Sequence, residues 1–487
     1  MSVVEALYQC SGLLAVLILF ATGVLILLLD AFSPLGRKGR LGGVAVAGTA
    51  AALFAAWQSE SPGEPLFFEM VVWDRYALFV TSVILLGALL VLLLSLEGRR
   101  RDGAGTGEYY ALVLFAATGM VLMAQAVHFI MIFLGLEILS ISVYVLVGLP
   151  RHERRANEAA LKYVLLGGFA SGFFLYGLTF LYGATGSLSM TAMASYLGTG
   201  ERVFNSYLLL GTALVLAGFA FKLALVPFHL WTPDVYEGAP TPITAYMAVG
   251  VKAAVLAALV RTFREALPAV VPHWTTALWI LAAVTMTVGN VMALVQQSVK
   301  RMLAYSSIAH AGYLMVAVVA GTPSGVTALL VYLLAYTVMN VGAFGVMVVG
   351  QKERDGGELL QDFEGLGFRC PLVGAAMALF LFSLAGIPPT AGFLGKLLVF
   401  SAAVEAGYTW LVILAVINSV VAAYYYLRVV IAIYRRSEAA EAGPEPAIRL
   451  SGGERAALIL AGLLTVGVGV LPQGFWEMAR RAVLALG

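Results

Sequence analysis

Residues 218–231, GFAFKLALVPFHLW, decide how this chain folds. They close an apolar run that begins near residue 205, and they hold a lysine, Lys222, five residues before Pro227. A run of this length crosses a hydrocarbon core of about 30 Å as a single helix. A proline inside that helix removes a backbone donor and breaks it. In lipid, a broken helix is tolerated where its freed carbonyls line a cavity or an ion site. A lysine at mid-membrane depth costs about 2.5–3.5 kcal/mol on insertion scales. An amine placed beside a break at that depth is hard to explain as packing, and it points to the handling of charge inside a membrane.

Working outward, residues 383–400, SLAGIPPTAGFLGKLLVF, bring the combination back: Lys396 follows the pair Pro388-Pro389. Two halves that each carry a lysine next to an interrupted helix are the mark of internal structural repeats. The rest of the chain has the same character. Of 487 residues 61% are hydrophobic and 11% charged, whereas a soluble domain carries roughly 25% charged residues. The apolar runs are continuous rather than alternating, so they read as helices and not as barrel strands. The fold class is therefore an all-α integral membrane protein. Fourteen spans are predicted, at 11–30, 41–57, 76–96, 109–125, 128–149, 158–183, 205–226, 241–266, 274–296, 301–320, 324–350, 371–406, 408–434 and 455–472. The fourth and fifth are joined by almost nothing. The seventh and twelfth are expected to be broken. The first run, from Ser11 to Leu29, lacks a basic leader and an obvious cleavage site, so it reads as a retained helix.

Loop charges orient the bundle. With the N-terminus outside, the inner loops hold 18 basic residues and the outer segments 6. Arg37, Lys38, Arg40, Arg99 to Arg101, Arg202, Arg354 and Arg436 are among those counted, and the bias is the positive-inside pattern. An even number of spans then leaves both termini outside.

Several function classes are excluded. The formal net charge is +2 and no basic tract is long enough for nucleic-acid binding. Cys10 and Cys370 form no CxxC and stand far apart, so neither a disulfide framework nor an iron–sulfur cluster is expected. His128, His152, His229 and His273 lie near span ends or loops without metal-ligand spacing. No dinucleotide-binding βαβ unit is present.

Once the loops are set aside, the ionisable residues at membrane depth are Glu137, Lys222, Lys252 and Lys396, with Lys162, His310, Glu405 and Arg428 nearer the span ends. One acid and three lysines are the materials of a proton relay. Burial disfavours a charged amine, and a nearby carboxylate restores it. Each residue has a plainer reading as well. Glu137, in FLGLEILSISVYVLVG (133–148), could be half of a static ion pair. Lys252, in AVGVKAAVLAAL (248–259), has no local helix breaker, and snorkelling to the surface would explain it. His310 has a side chain suited to proton transfer, but a packed histidine fits equally. Lys162 follows Glu158 by four residues on one helix face, either feeding Glu137 or resting at the interface.

Longer motifs carry a resemblance. Residues 221–254, FKLALVPFHLWTPDVYEGAPTPITAYMAVGVKAA, are similar to the seventh and eighth helices of the proton-conducting, antiporter-like subunits of respiratory complex I. That family includes the Mrp-type sodium/proton antiporter subunits. KRMLAYSSIAHAGY (300–313) and AGIPPTAGFLGK (385–396) match it in the second half. The form TPDVYEGAPTP (232–242) resembles the N branch. So do a lysine rather than a glutamate at Lys396 and the lack of a long C-terminal lateral helix.

The resemblance implies two inverted five-helix repeats, each a half-channel, with helices 7 and 12 broken. Segments are then expected at 1–108 (three helices), 109–266 (first repeat), 267–434 (second repeat) and 435–487 (a loop and the last span). It implies that Glu137 pairs with Lys222, that Lys252 bridges toward the middle and that Lys396 sits in the second repeat; the path expected from this runs through Lys252 and His310 to Lys396, with Lys162 a further candidate. The expected function is a proton-translocating subunit of NADH:quinone oxidoreductase. No cofactor or metal is expected on this chain; NADH, FMN, iron–sulfur clusters and quinone are expected on partner subunits. The expected partners are the antiporter-like M and L subunits, the small K, J and A subunits, and the lipid bilayer. The expected location is the bacterial inner membrane, with both termini periplasmic. A Mrp-type cation/proton antiporter subunit, or a stand-alone secondary transporter, is the alternative. On sequence alone, Lys396→Leu blocks transfer, while Lys396→Glu keeps an ionisable group and partial activity.

Overall fold

A computed structural model of the chain describes residues 12–32, 40–59, 63–102, 106–198, 205–352, 357–435 and 449–486. Cys10, Arg37, Lys38, Arg202, Arg354 and Arg436 lie outside the described residues, as do the side chains of Arg99, Arg100 and Arg101. Three helices open the fold: α1 (Leu14–Phe32), α2 (Leu41–Gln58) and α3 (Arg75–Asp102). A first group of five spans follows. It comprises α4 (Thr106–Gln125), α5 (Phe129–Val147), α6 (Arg154–Thr185), a broken span made of α8 (Ser206–Leu223) and α9 (Trp231–Gly238), and the span Thr241–Ala266, here α10. The short helix α7 (Met190–Gly198) lies in the connection from α6 to α8. A second group of five comprises α11 (Val271–Leu294), α12 (Val299–Ala320), α13 (Pro323–Gln351), the broken pair α14 (Pro371–Ala385) and α15 (Ala391–Glu405), and α16 (Thr409–Tyr434). The last span, α17 (Gly452–Val470), precedes α18 (Pro472–Leu484).

Thirteen of these helices are long and apolar enough to cross a membrane singly. The fourteenth crossing is the α14–α15 pair, each half of which has 15 residues and is too short alone. Among the described residues the only sheet is a two-stranded antiparallel one, Pro65–Leu66 against Val71–Val72. The chain is thus a multi-pass α-helical membrane protein.

Helices α10, α12 and α13 form the centre, buried almost without exception. The outer helices turn apolar side chains such as Phe20, Phe169, Trp410 and Val420 away from the chain. Such faces suit a solvent of lipid tails, and helix association there relies on close packing instead of the hydrophobic effect. Glycine supplies the closeness. A Cβ on Gly119 of α4 would stand 2.5 Å from the Gly135 carbonyl oxygen of α5. In the second group, a Cβ on Gly312 of α12 would stand 2.6 Å from the Met286 nitrogen of α11. The leading helix pair of each group is joined in the same way. Because each group crosses five times, the second starts on the opposite side, which makes the two inverted.

The structure departs from the sequence reading at three places. The last segment does not end with the final span. Helix α18 follows, burying Ala479, Ala482 and Val483 against α3 and α13 and exposing Glu477, Arg480 and Arg481. The connection from α6 to α8 holds a helix of its own. And Arg261, one of the six basic residues counted in outer segments, is buried and paired with Asp74. Arg261 donates from Nη2 to both carboxylate oxygens of Asp74, at 3.1 and 2.9 Å, and from Nη1 to Glu265 at 2.8 Å. Both members of the Asp74–Arg261 pair are almost fully buried. Breaking one partner out of such a pair costs about 3–5 kcal/mol, so it clamps α3 to the end of α10.

A row of buried lysines between two interrupted helices

The first interruption follows Leu223. Ala224 takes a left-handed backbone (φ 59°) and ends α8. Several of the freed backbone groups find partners inside the chain. The Leu225 N–H returns to the Ala220 carbonyl at 2.8 Å, and the Val226 N–H finds Thr285 Oγ1 of α11 at 3.0 Å. Trp231, the first residue of α9, donates its indole N–H to the Phe221 carbonyl at 3.0 Å. Lys222 sits in the last turn of α8, 2% exposed, and donates to the Tyr144 hydroxyl at 3.1 Å. Its ammonium also lies 4.9 Å from the Tyr144 ring centre and 5.2 Å from that of Tyr163, within cation–π range. Gly167 makes room for this arrangement, since a Cβ there would stand 1.9 Å from the Tyr144 hydroxyl.

The second interruption follows Ala385, where Gly386 (φ 91°) ends α14. Lys396 belongs to the other half, α15, and reaches back across the break. Its Nζ donates to the carbonyls of Leu384 at 3.1 Å and Ala385 at 3.0 Å, and lies 4.8 Å from the Tyr313 ring centre. Lys396 therefore meets the C-terminal end of a half-helix, where unpaired carbonyls and the helix dipole favour positive charge, whereas Lys222 lies in the last turn of its own half-helix and bonds Tyr144.

Lys252 corrects the sequence reading. No breaker is visible around it, yet a π-helical turn, Met247–Val251, runs directly into it, and a second, Thr262–Ala266, follows Arg261. Such turns gather at functional positions because they widen the helix and free a backbone acceptor. Lys252 is 1% exposed, which rules out snorkelling. It donates to the Ser307 carbonyl and, at 2.5 Å, to the Ser307 hydroxyl.

His310 links this lysine to the next. Its Nδ1 is 2.7 Å from the Tyr332 hydroxyl and its Nε2 3.2 Å from that of Tyr426, which in turn bonds Ser306. The Tyr336 ring lies 5.7 Å from Lys252 Nζ and 5.1 Å from the His310 ring. The Tyr313 ring, beneath Lys396, lies 5.6 Å from His310. Polar and aromatic groups thus run without a gap from Lys252 to Lys396. On the other side the link to Lys222 is aromatic. Tyr163 stacks on Trp231 at 4.4 Å, Trp231 meets Tyr236 at 6.1 Å, and Tyr236 faces Ser307.

The remaining candidates fall elsewhere. Glu137 is half-buried on α5 and accepts a hydrogen bond from Ser171 at 2.5 Å. It makes no ion pair with Lys222; Tyr144, two turns along the same helix, stands next to the amine. The carboxylate acts on Lys222 and Tyr144 only through its field. Lys162 is 42% exposed, far from a buried relay residue in character. It pairs with Glu158 at 2.8 Å and Asp234 at 3.0 Å. Asp234 and Glu237 also hold Arg301, and Lys300 pairs with Glu358, so Lys162 is part of an ion network at one end of the bundle. Arg428 caps the carbonyls of Leu294 and Gln296 behind α11. His229 lies near a span end, in the interruption between α8 and α9. The partners missing from the sequence reading are Tyr144, Ser307, Tyr332, Tyr336 and Tyr426. Nothing in one sequence separates them from the other aromatic and hydroxyl residues of an apolar chain.

Two inverted five-span groups, each with an interrupted helix and a buried amine at the break, define a membrane protein of the antiporter-like class. A family model described as NADH:quinone oxidoreductase/Mrp antiporter, transmembrane, matches residues 126–422. The chain is 45% identical over 466 residues to a protein of Trichlorobacter lovleyi named NADH-quinone oxidoreductase subunit N, covering 96% of this chain and 95% of that one. It is 43% identical over 480 residues to a protein of the same name from Chloroflexus aggregans, covering 98% and 97%. Among solved structures it resembles a chain of respiratory complex I from Thermus thermophilus with bound aureothin, at 38% identity and a TM-score of 0.79, covering 95% and 98%. The chain belongs to the NADH:quinone oxidoreductase/Mrp antiporter membrane-subunit family, in its subunit N group.

Proposed function

We propose that this chain is a proton-translocating membrane subunit of an NADH:quinone oxidoreductase, and that Lys222, Lys252 and Lys396 pass protons along the middle of the membrane. The observation that carries this reading is the row of buried polar and aromatic groups from Lys252, bonded to Ser307, past Tyr336 and His310 to Tyr313 and Lys396. Three amines in one apolar interior have no structural excuse, since each costs several kcal/mol unless it gains a partner or a task.

The chemistry follows from the partners. A charged Lys222 is stabilised by the Tyr144 hydroxyl, two ring faces and the field of Glu137. Protonating one lysine raises the cost of protonating the next, because charges repel strongly where the surroundings are apolar. The row therefore favours alternate occupancy, and a shift in the balance at Glu137 drives a proton onward. His310 suits the middle of the row: with a tyrosine hydroxyl on each ring nitrogen, a proton arrives at one nitrogen and leaves from the other. Lys162 sits in a charged network open to water, where it would exchange protons with the medium.

On this reading the redox steps lie elsewhere. NADH, FMN, the iron–sulfur clusters and the quinone would belong to partner subunits, and this chain would carry no redox centre. The partners would be the M, L, K, J and A membrane subunits. The chain would sit in a bacterial inner membrane with both termini on the periplasmic side, as the basic loops suggest.

The test is Lys252→Met in the assembled complex. Methionine keeps the stem and removes the proton carrier. Protons moved per electron should fall by this chain's whole contribution, while the subunits remain together. Unchanged proton movement would set the reading aside.

A further inference from the structure

Asn340 lies in the middle of α13, 0% exposed, and neither its amide nitrogen nor its amide oxygen has a hydrogen-bond partner among the described residues. The Tyr336 hydroxyl, one turn earlier on the same face, is also without one, with Ser307 its neighbouring polar group. Buried polar atoms are almost always paired, with protein or with ordered water, and two adjacent side chains short of partners mark a place where water sits.

Where they point follows from the helix geometry. The ring of Tyr336 lies 5.7 Å from Lys252 Nζ. Thr337 points beside it, its methyl and that of Val249 both bordering Gly87 of α3. Asn340 is one turn beyond both. Helices α10 and α13 run antiparallel, so one turn forward on α13 is one turn back from Lys252 on α10. That is the π-helical turn Met247–Val251, which packs against α13. The turn contains no polar side chain, so it gives Asn340 nothing but backbone. It does free a carbonyl, as every such turn does. An amide, a phenol and a carbonyl brought to one place would supply the two to four polar partners that a buried water needs.

We infer that Tyr336 and Asn340 hold ordered water against this π-helical turn, and that the water exchanges protons with Lys252. The inference rests on the relay reading above and adds a branch to it: the lysine between the two interrupted helices would be reached through water as well as through Ser307 and His310. Asn340 is then a positioning residue, acting on Lys252 through the water it orders. It also gives the turn a purpose, since a regular helix would keep that carbonyl for itself.

The experiment uses the assembled complex in two forms. A map at a resolution that shows ordered water should contain density within hydrogen-bond reach of the Asn340 amide. Asn340→Leu should empty that position and lower proton movement per electron several-fold, with a larger solvent deuterium effect. Asn340→Ser, which leaves room for an extra water, should restore most of both. A dry contact at Asn340, or an Asn340→Leu complex that moves protons as the parent does while Lys252→Met does not, overturns this inference and leaves the relay standing. If Lys252→Met also moves protons normally, the relay itself falls, and the map still decides whether the water is there.

Discussion

Replacing Lys222 by methionine should lower proton movement through this chain at least ten-fold, a change of about 1.4 kcal/mol or more in the barrier, without unfolding it. The two halves of that statement have separate causes. Lys222 holds the one amine at the first interruption, and the groups around it cannot replace it. Tyr144, Tyr163 and Phe221 surround the ammonium, and none of them carries positive charge. Folding should not suffer, because a buried amine costs about 2.5–3.5 kcal/mol to insert and methionine carries no such cost. The measurement is proton movement in sealed vesicles against quinone reduction, with subunit content checked on the same sample. Normal proton movement in a complex that has kept all its subunits would remove Lys222 from the path.

Lys396→Leu should have an effect of the same size, and Lys396→Glu hardly less. The second expectation differs from what the sequence allows. An ionisable group is kept, so the sequence predicts partial activity. The structure turns the position into one for a donor. Lys396 Nζ faces the carbonyls of Leu384 and Ala385 at 3.1 and 3.0 Å, at the C-terminal end of α14. An anionic carboxylate there meets two oxygens and the negative end of the helix dipole. It would have to stay protonated to fit, and a group held in one protonation state carries nothing. Proton movement in both variants, side by side, decides it. Recovery in Lys396→Glu above half of the parental rate would mean that the break does not hold the amine as described.

Much of the fold was legible because lipid permits few solutions. Run length and the two proline breaks were enough for fourteen crossings and both interruptions, and the structure places the breaks at Ala224 and Gly386, three and two residues before Pro227 and Pro388. The lysines stood out for the same reason: charge is rare in an apolar chain, so each instance carries information. What surrounds them did not stand out. Tyr332 and Tyr336 are two of 21 tyrosines, and only three-dimensional proximity sets them beside His310. The π-helical turn before Lys252 was invisible because its residues, Met247-Ala248-Val249-Gly250-Val251, suit an ordinary apolar helix. The Asp74–Arg261 pair joins two helices across most of the first half of the chain, and spacing says nothing about such a pair. Glu137 was found by its depth, but its distance from Lys222 depends on where Tyr144 rests.

If buried amines are loaded and unloaded in turn, their protonation must change while the complex works. Infrared difference spectra of the assembled complex, with heavy-nitrogen lysine confined to this chain, read that change directly. Quinone reduction should produce shifts in the lysine ammonium bands, and the shifts should vanish when Lys222, Lys252 and Lys396 are all methionine. Proton movement at the normal rate with no lysine band altered in the unmodified chain would contradict the relay outright.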